Sequence, residues 1–335
     1  MVLGAELPPE HTVELWFACA REFSPAVQET LRATLDDEER LRLAALVRDD
    51  DTRTYLLAHG LLRAVLSRYF GPDPRSWRFS APPPGKPRLE APPACSLEFN
   101  LTHAGGLAVV ACSRTLPLGV DIEPLERAGR ILALPELFTE EEREGWSDRT
   151  ATAREREAVW AWAAREAILK ASGHGLTAGP GAASVSWRNG VGLGTGPPVA
   201  SLPVTDPAVT GPAVSGPPVA GPPVAGRRTE WCVQRLLFRF RDRLYPGTLA
   251  TPAAAGVPAV RAGWMEVAGD EARWRDARSI ETGDAVVEIT AVPSGDLAAE
   301  ASHGIPAEAS GDFSEDGPGI ASAEASRKPR LRPTP

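Results

Sequence analysis

Cysteine is scarce: four in 335 residues, at Cys19, Cys95, Cys112 and Cys232, with no C-x-x-C pair. That scatter excludes a zinc knuckle and a disulfide framework and points to a reducing compartment. Long apolar runs are missing too; none approaches the roughly 18 residues that span a bilayer, so no membrane partner is expected. Positive charge is in deficit, with 36 Lys and Arg against 44 Asp and Glu, a net charge of −8. A general nucleic-acid binder needs a basic face, which this balance argues against. The start, Met1-Val2-Leu3-Gly4-Ala5-Glu6, lacks the basic residues of a signal peptide. These absences describe a soluble, cytoplasmic protein. What is present is apolar side chain, 43% of residues, enough for a real core in one or two domains.

The most informative stretch is Leu118-Gly119-Val120-Asp121-Ile122-Glu123-Pro124. Neighbours two apart in a strand point the same way. Val120 and Ile122 are therefore expected in a core, with Asp121 and Glu123 sharing the opposite face. Two close carboxylates repel unless a cation lies between them, and hard oxygen ligands suit Mg²⁺ or Mn²⁺. Taken alone, the stretch reads first as a strand with one solvated face.

The chain in order supplies the rest. A first strand is expected over residues 12–20. A helix opens at Asp36 or Asp37, the candidate N-caps. A longer helix over about 51–69 carries the stripe Leu56, Leu57, Gly60, Leu61, Ala64 and Val65, and Gly71-Pro72 ends it. Arg53 lies in its first turn, where free amides favour an anion. Pro82-Pro83-Pro84-Gly85-Lys86-Pro87 is a rigid turn with one lysine. Leu97-Glu98-Phe99-Asn100-Leu101 alternates as a strand and runs into Thr102-His103-Ala104-Gly105-Gly106. Leu107–Cys112 and Leu118–Glu123 follow as strands.

Thr139 and Glu142 have the spacing of a capping box. Residues 153–172 form the clearest helix, with Trp162, Glu166 and Lys170 on one face and Val159 and Ala163 beside it. Trp160 and Trp162 read as core. Strands are expected at Ala183–Trp187, Trp231–Phe240 and Ala285–Val292, with a turn at Asn189-Gly190. Between the last two strands the pattern is ambiguous. Residues 192–226 repeat Gly-Pro-Pro-Val-Ala and are expected to be an extended, disordered insertion in a surface loop. The tail from about 293 is rich in Ser, Glu, Gly and Pro and is expected to be disordered.

Each site residue has a bland alternative. His103 alone is a hydrogen-bonded structural histidine, and Glu166 with Lys170 a solvated pair worth a few tenths of a kcal/mol. His11, His59 and His174 are given no catalytic role, although His59 lies on the Arg53 helix. Taken together, Asp121, Glu123 and Glu166 beside Lys170, His103, Arg53 and Lys86 describe a metal held by carboxylates next to cations. A polyphosphate substrate needs that combination.

Three blocks, Phe99-Asn100-Leu101-Thr102-His103, Gly119-Val120-Asp121-Ile122-Glu123 and Trp162-Ala163-Ala164-Arg165-Glu166-Ala167-Ile168-Leu169-Lys170, resemble the signatures of the 4'-phosphopantetheinyl transferases. Phe138-Thr139-Glu140-Glu141-Glu142 resembles the lesser block between the last two. The Arg53-Thr54-Tyr55-Leu56-Leu57 helix and Gly85-Lys86-Pro87 point to the larger, two-half type that activates peptide and polyketide synthetase carrier domains. The likeness covers about residues 12–190 and, more weakly, 230–292. Order and spacing together make it specific.

The resemblance implies an α+β fold of two similar halves about a pseudo-twofold axis, residues 1–118 and 119–292, with a coenzyme A cleft between them. It implies Mg²⁺-dependent transfer of the phosphopantetheine arm of coenzyme A to a carrier-protein serine, with release of 3',5'-ADP. Asp121, Glu123 and Glu166 would bind the metal. Glu166 would take the serine proton, Lys170 would orient the phosphate and protonate the leaving group, and His103 completes the catalytic set. Thr102 and His103 would contact the phosphates, and Arg53 and Lys86 the 3'-phosphoadenosine end, with Arg40, Arg42 and Arg48 as further candidates. The chain departs from the pattern at Thr102, where serine is usual, at Ala104, which loses a second hydroxyl, and at Arg165 in place of lysine. A monomer is the simplest expectation. A non-catalytic binding module and a Mg²⁺-dependent coenzyme A hydrolase are the alternatives.

Overall fold

The computed structural model describes residues 5–19, 24–80, 86–91, 97–175, 180–188, 191–199, 228–240, 243–268 and 271–276. The fold is α+β. The first sheet is built from β1 (Thr12–Cys19), β4 (Glu98–Ala104), β5 (Leu107–Ser113), β11 (Ala259–Ala268) and β12 (Glu271–Asp276), in the order β12-β11-β1-β5-β4. The second is built from β6 (Gly119–Ile122), β7 (Ser184–Arg188), β8 (Val191–Gly196), β9 (Thr229–Phe240) and β10 (Arg243–Pro252), in the order β6-β10-β9-β8-β7. A short ribbon pairs β2 (Arg78–Ser80) with β3 (Arg88–Ala91).

Alternation along the strands sets the layers. Val13, Leu15 and Phe17 of β1 pack with Val109, Ala111, Leu236, Phe238 and Leu249, so one face of each sheet shares a core. Phe17 meets Phe238 edge-on at 5.8 Å, a contact worth about 0.5–1.5 kcal/mol beyond its burial. The in-between residues Trp16, Ala18, Ala108 and Val110 turn the other way, onto Leu57, Leu61 and Val65 of α3 (Asp49–Phe70). Ile168 and Ala167 of α6 (Ala151–Ser172) cover the outer face of the second sheet through Trp231 and Val233. The result is helix, sheet, sheet, helix.

The helices start and stop where the sequence predicts. Asp36 caps α2 (Asp37–Ala44) in a capping box with Glu39, and Thr139 does the same for α5 (Glu140–Gly145) with Glu142. Gly71 closes α3 in the left-handed region, at φ 91°. Two short helices were not anticipated: α1 (Pro25–Thr34), capped by Ser24, and α4 (Ala128–Leu132).

β11 runs parallel to β1 and returns with β12 to the first sheet. One expectation needs correction. The insertion does not begin at residue 192: Gly192–Gly196 belongs to β8, paired with both β7 and β9. Its glycines answer to packing, since a Cβ on Gly194 would lie 2.5 Å from Ile168 Cδ1. The strand expected at Ala285–Val292, the turn at Asn189-Gly190, the remainder of the repeat beyond residue 199 and the tail lie outside the described residues.

Candidate active site

β4 is an edge of the first sheet and β6 an edge of the second. An edge strand leaves N–H and C=O groups without ladder partners. Here side chains complete them. Val120 N donates to Asn100 Oδ1 at 2.9 Å. The Leu118 carbonyl accepts from Lys86 Nζ at 3.0 Å, and the Val120 carbonyl from Lys170 Nζ at 3.3 Å. Glu98, Asn100 and Thr102 are spaced two apart on β4 and share the face that meets this seam. Glu98 holds Lys86 at 3.1 Å, and Thr102 Oγ1 donates to Asp121 Oδ1 at 3.0 Å.

Asp121 is the centre of the seam. Its side chain is buried, and Oδ1 accepts from both Thr102 and Lys170 Nζ, the latter at 2.6 Å. Oδ2 is buried with no hydrogen-bond partner. The Trp162, Glu166, Lys170 face of α6 turns toward β6, as its spacing predicts. Burial, then the charges of Asp121 and Glu123, push the Glu166 carboxyl up to about 7 against the opposing Lys170. Burial and Asp121 also push Glu123 up, while Arg127 and Trp162 oppose. Arg127 Nη1 meets both Glu123 oxygens, at 3.1 and 2.8 Å.

The three predicted metal ligands thus feel one another's charge, yet Asp121 and Glu123 each hold a basic side chain. Among the described residues, no group of three or more His, Cys, Asp or Glu stands ready to hold a metal ion. The donor set still fits a hard divalent cation. It consists of carboxylate oxygens, one of which is buried and unpartnered.

The other predicted residues separate. His103 follows Thr102 and so turns to the opposite face, toward α3. Enclosure there pushes its imidazole down, His59 and Lys170 add to the effect, and Asp51 opposes it. The residue keeps a solvent-exposed side, so screening tempers the shift. Lys86, expected at the 3'-phosphoadenosine end, here pairs with Glu98 and the Leu118 carbonyl in the seam. Arg53 is 45% exposed and pairs with Asp50 at 4.0 Å, on the outer side of α3. Arg40 pairs with Asp37, Arg42 with Glu38 and Arg48 with Asp51, all at the surface. The inward stripe of α3 is instead Tyr55, His59 and Arg63, spaced i, i+4, i+8. Tyr55 stacks on His59 at 4.0 Å, His59 Nδ1 lies 2.7 Å from Glu39, and the fully buried Arg63 also reaches Glu39. That spacing is visible in the sequence, but nothing in the sequence marks Glu39 as its partner. An open pocket of about 290 Å³ near Leu125, Glu155 and Arg243 lies beyond Glu123 and takes none of the seam residues.

The α5 cap also reaches the site helix: Glu142 accepts from Arg165 Nη2 at 2.6 Å, beside Glu166. Together the parts define an α+β protein with a carboxylate and lysine site where the edges of two sheets meet. Residues 15–115 match the model "4'-phosphopantetheinyl transferase, N-terminal", and residues 117–198 match the 4'-phosphopantetheinyl transferase superfamily. The chain is similar to the 4'-phosphopantetheinyl transferase HetI of Nostoc, at 30% identity over 167 residues, 49% of this chain and 70% of that protein. Sfp of Bacillus subtilis is 27% identical over 160 residues, 47% of this chain and 68% of Sfp. The human L-aminoadipate-semialdehyde dehydrogenase-phosphopantetheinyl transferase is 26% identical over 183 residues, 51% of this chain and 59% of that protein. The chain belongs to the 4'-phosphopantetheinyl transferase family.

Proposed function

We propose that the protein transfers the 4'-phosphopantetheine arm of coenzyme A to a serine of an apo acyl- or peptidyl-carrier domain, as its family name describes. The observation that carries the site assignment is Asp121, held on one oxygen by Lys170 and bare on the other, with Glu166 one helical turn from Lys170. Asp121, Glu123 and Glu166 would hold Mg²⁺ or Mn²⁺. Such an ion would neutralise charge on the diphosphate as the serine oxygen attacks. In the reaction, the serine oxygen forms a bond to phosphorus, the bond to 3',5'-ADP breaks, and the serine proton passes to a base. Glu166, the carboxylate one helical turn from Lys170, would be that base. Lys170 places its ammonium beside the phosphates and can give a proton to the leaving group. His103 would face the phosphates from the α3 side.

The two-half arrangement is supported by two five-stranded sheets, each covered by a 22-residue helix; a pseudo-twofold axis between them is part of this proposal. Every proposed site residue comes from one chain, so a monomer suffices. Cys112 and Cys232 are buried outside any disulfide, which supports a reducing, cytoplasmic setting. Among the described residues no helix is long and apolar enough to cross a membrane.

The test is a mass-shift assay with Mg²⁺, coenzyme A and apo carrier proteins. Each carrier should gain one phosphopantetheine arm, and Asp121→Ala and Glu166→Ala should abolish the gain. Full activity in both variants would overturn the site. Release of 3',5'-ADP without carrier would favour a hydrolase instead.

A further inference from the structure

We infer that Thr102 is a positioning residue for Asp121 and not a phosphate ligand: with Lys170 it occupies Oδ1 and leaves Oδ2 as the one oxygen Asp121 offers to a cation. The inference rests on the transferase reading of the same site. Three observations carry it. First, strand alternation separates Thr102 from His103: Glu98, Asn100 and Thr102 face β6, while Phe99 lies in the core beneath α3. A ligand lying against His103 therefore does not meet the Thr102 hydroxyl on the same face of β4. Second, the Thr102 side chain is 4% exposed, and its single hydroxyl proton is donated to Asp121 at 3.0 Å. Third, Oδ1 already has two donors, Thr102 and Lys170, whereas the buried Oδ2 has none. A buried carboxylate oxygen without a partner is costly unless something completes it. Hydrogen bonds from behind also turn a carboxylate toward its ion, and such partners commonly tune affinity. Threonine suits the task better than serine, because its branched β-carbon restricts χ1 in a strand and keeps the hydroxyl aimed at β6.

The test uses the full chain and the variants Thr102→Val, which keeps the shape and loses the donor, and Thr102→Ser, which keeps the donor. Mn²⁺ binding is read by electron paramagnetic resonance of the free ion without coenzyme A, alongside the KM for coenzyme A at saturating Mg²⁺ and the thermal midpoint. Thr102→Val should weaken Mn²⁺ binding about tenfold, with the KM for coenzyme A unchanged, and Thr102→Ser should recover the affinity. A raised KM for coenzyme A in Thr102→Val with wild-type Mn²⁺ affinity would make Thr102 a phosphate contact and overturn the inference. Equal losses in both variants, tracking a fall in thermal midpoint, would reduce it to a packing residue and overturn it as well. Wild-type protein that binds Mn²⁺ as described but never modifies a carrier would sink the transferase reading while leaving the Thr102 result standing.

Discussion

Lys170 Nζ lies 2.6 Å from Asp121 Oδ1, joining the last turn of α6 to the outer edge of β6. The pair is not a surface ornament. Asp121 is 8% exposed at the side chain and Lys170 27%, so each partner would be poorly solvated without the other. Removing one partner of a shielded pair leaves the other's charge uncompensated. Lys170→Met should therefore cost about 1–3 kcal/mol of stability. It should also slow carrier modification by about 10²-fold or more through loss of a cation at the developing charge. Urea unfolding and single-turnover kinetics read the two effects separately. A near-wild-type rate on a destabilised protein would leave Lys170 with a structural role only.

Glu39 governs the acid limb of stability. Burial opposes its ionisation, but the hydrogen bond and charge of His59, the Arg63 guanidinium and the Asp36 amide outweigh that and hold it at about 2, against an ordinary 4.5. A carboxyl depressed on folding gives up its proton more readily in the native state. Its contribution is complete above about pH 4.5 and fades as pH falls toward 2. Its size is about 3 kcal/mol. Glu39→Gln should lose about that much at pH 7 and show a flatter stability profile between pH 5 and 2 in urea titrations. An unchanged acid limb would mean that Arg63 is satisfied by Asp36 and backbone carbonyls alone.

The contrast between β4 and β8 shows what a sequence makes legible. The alternation of Glu98, Asn100 and Thr102 is plain in the chain, and so is the acidic pair of β6. Their meeting is not, because nothing local says that two sheet edges will lie side by side and be completed by side chains. The seam contact of Lys86 was hidden for that reason: its partner, the Leu118 carbonyl, is a backbone group 32 residues away with no signature of its own. β8 failed differently. Its glycines are required by contact with Ile168 and Trp231, but beside a Gly-Pro-Pro-Val-Ala repeat they look like more of the same. The ambiguous segment after β9 holds β10, β11 and β12; β11 pairs in parallel with a strand more than 240 residues upstream, and no local pattern encodes so distant a partner. On α3 the apolar stripe was legible; the polar one, Tyr55, His59 and Arg63, needed Glu39 to give it meaning.

Arg235 is another buried cation of the fold. Its guanidinium meets both oxygens of Glu157, at 3.0 and 2.6 Å, and lies 4.7 Å from the Trp160 ring centroid and 4.1 Å from that of Trp187. Arg149 adds a further contact to Glu157 at 3.0 Å. A lysine would keep the charge but lose the planar fork and the stacking. Arg235→Lys should therefore destabilise by about 2–3 kcal/mol in urea unfolding. Carrier modification per folded molecule should stay near wild type, since Arg235 touches no seam residue in the described contacts. A stable Arg235→Lys protein would show that Arg149 alone satisfies Glu157.

Gly119 sets how closely α6 can approach β6, and so where Glu166 and Lys170 stand. A Cβ there would fall 2.0 Å from the Ala167 carbonyl and 2.5 Å from the Ala171 amide. Both obstacles are helix backbone, which cannot step aside as a side-chain tip can. Gly119→Ala is expected to push α6 off the second sheet and lose more than about 3 kcal/mol. Gly194→Ala meets the Ile168 Cδ1 tip at 2.5 Å, a flexible end that can rotate, and should cost about 1–2 kcal/mol. Gly129, in α4 with nothing within 4 Å, is the control: alanine there should be neutral or stabilise by up to about 1 kcal/mol. Thermal midpoints of the three variants should rank Gly129→Ala, Gly194→Ala, Gly119→Ala from highest to lowest. A Gly119→Ala protein that melts like wild type would mean that α6 does not rest on β6 this closely, and the Lys170 to Asp121 distance would then lose its structural basis.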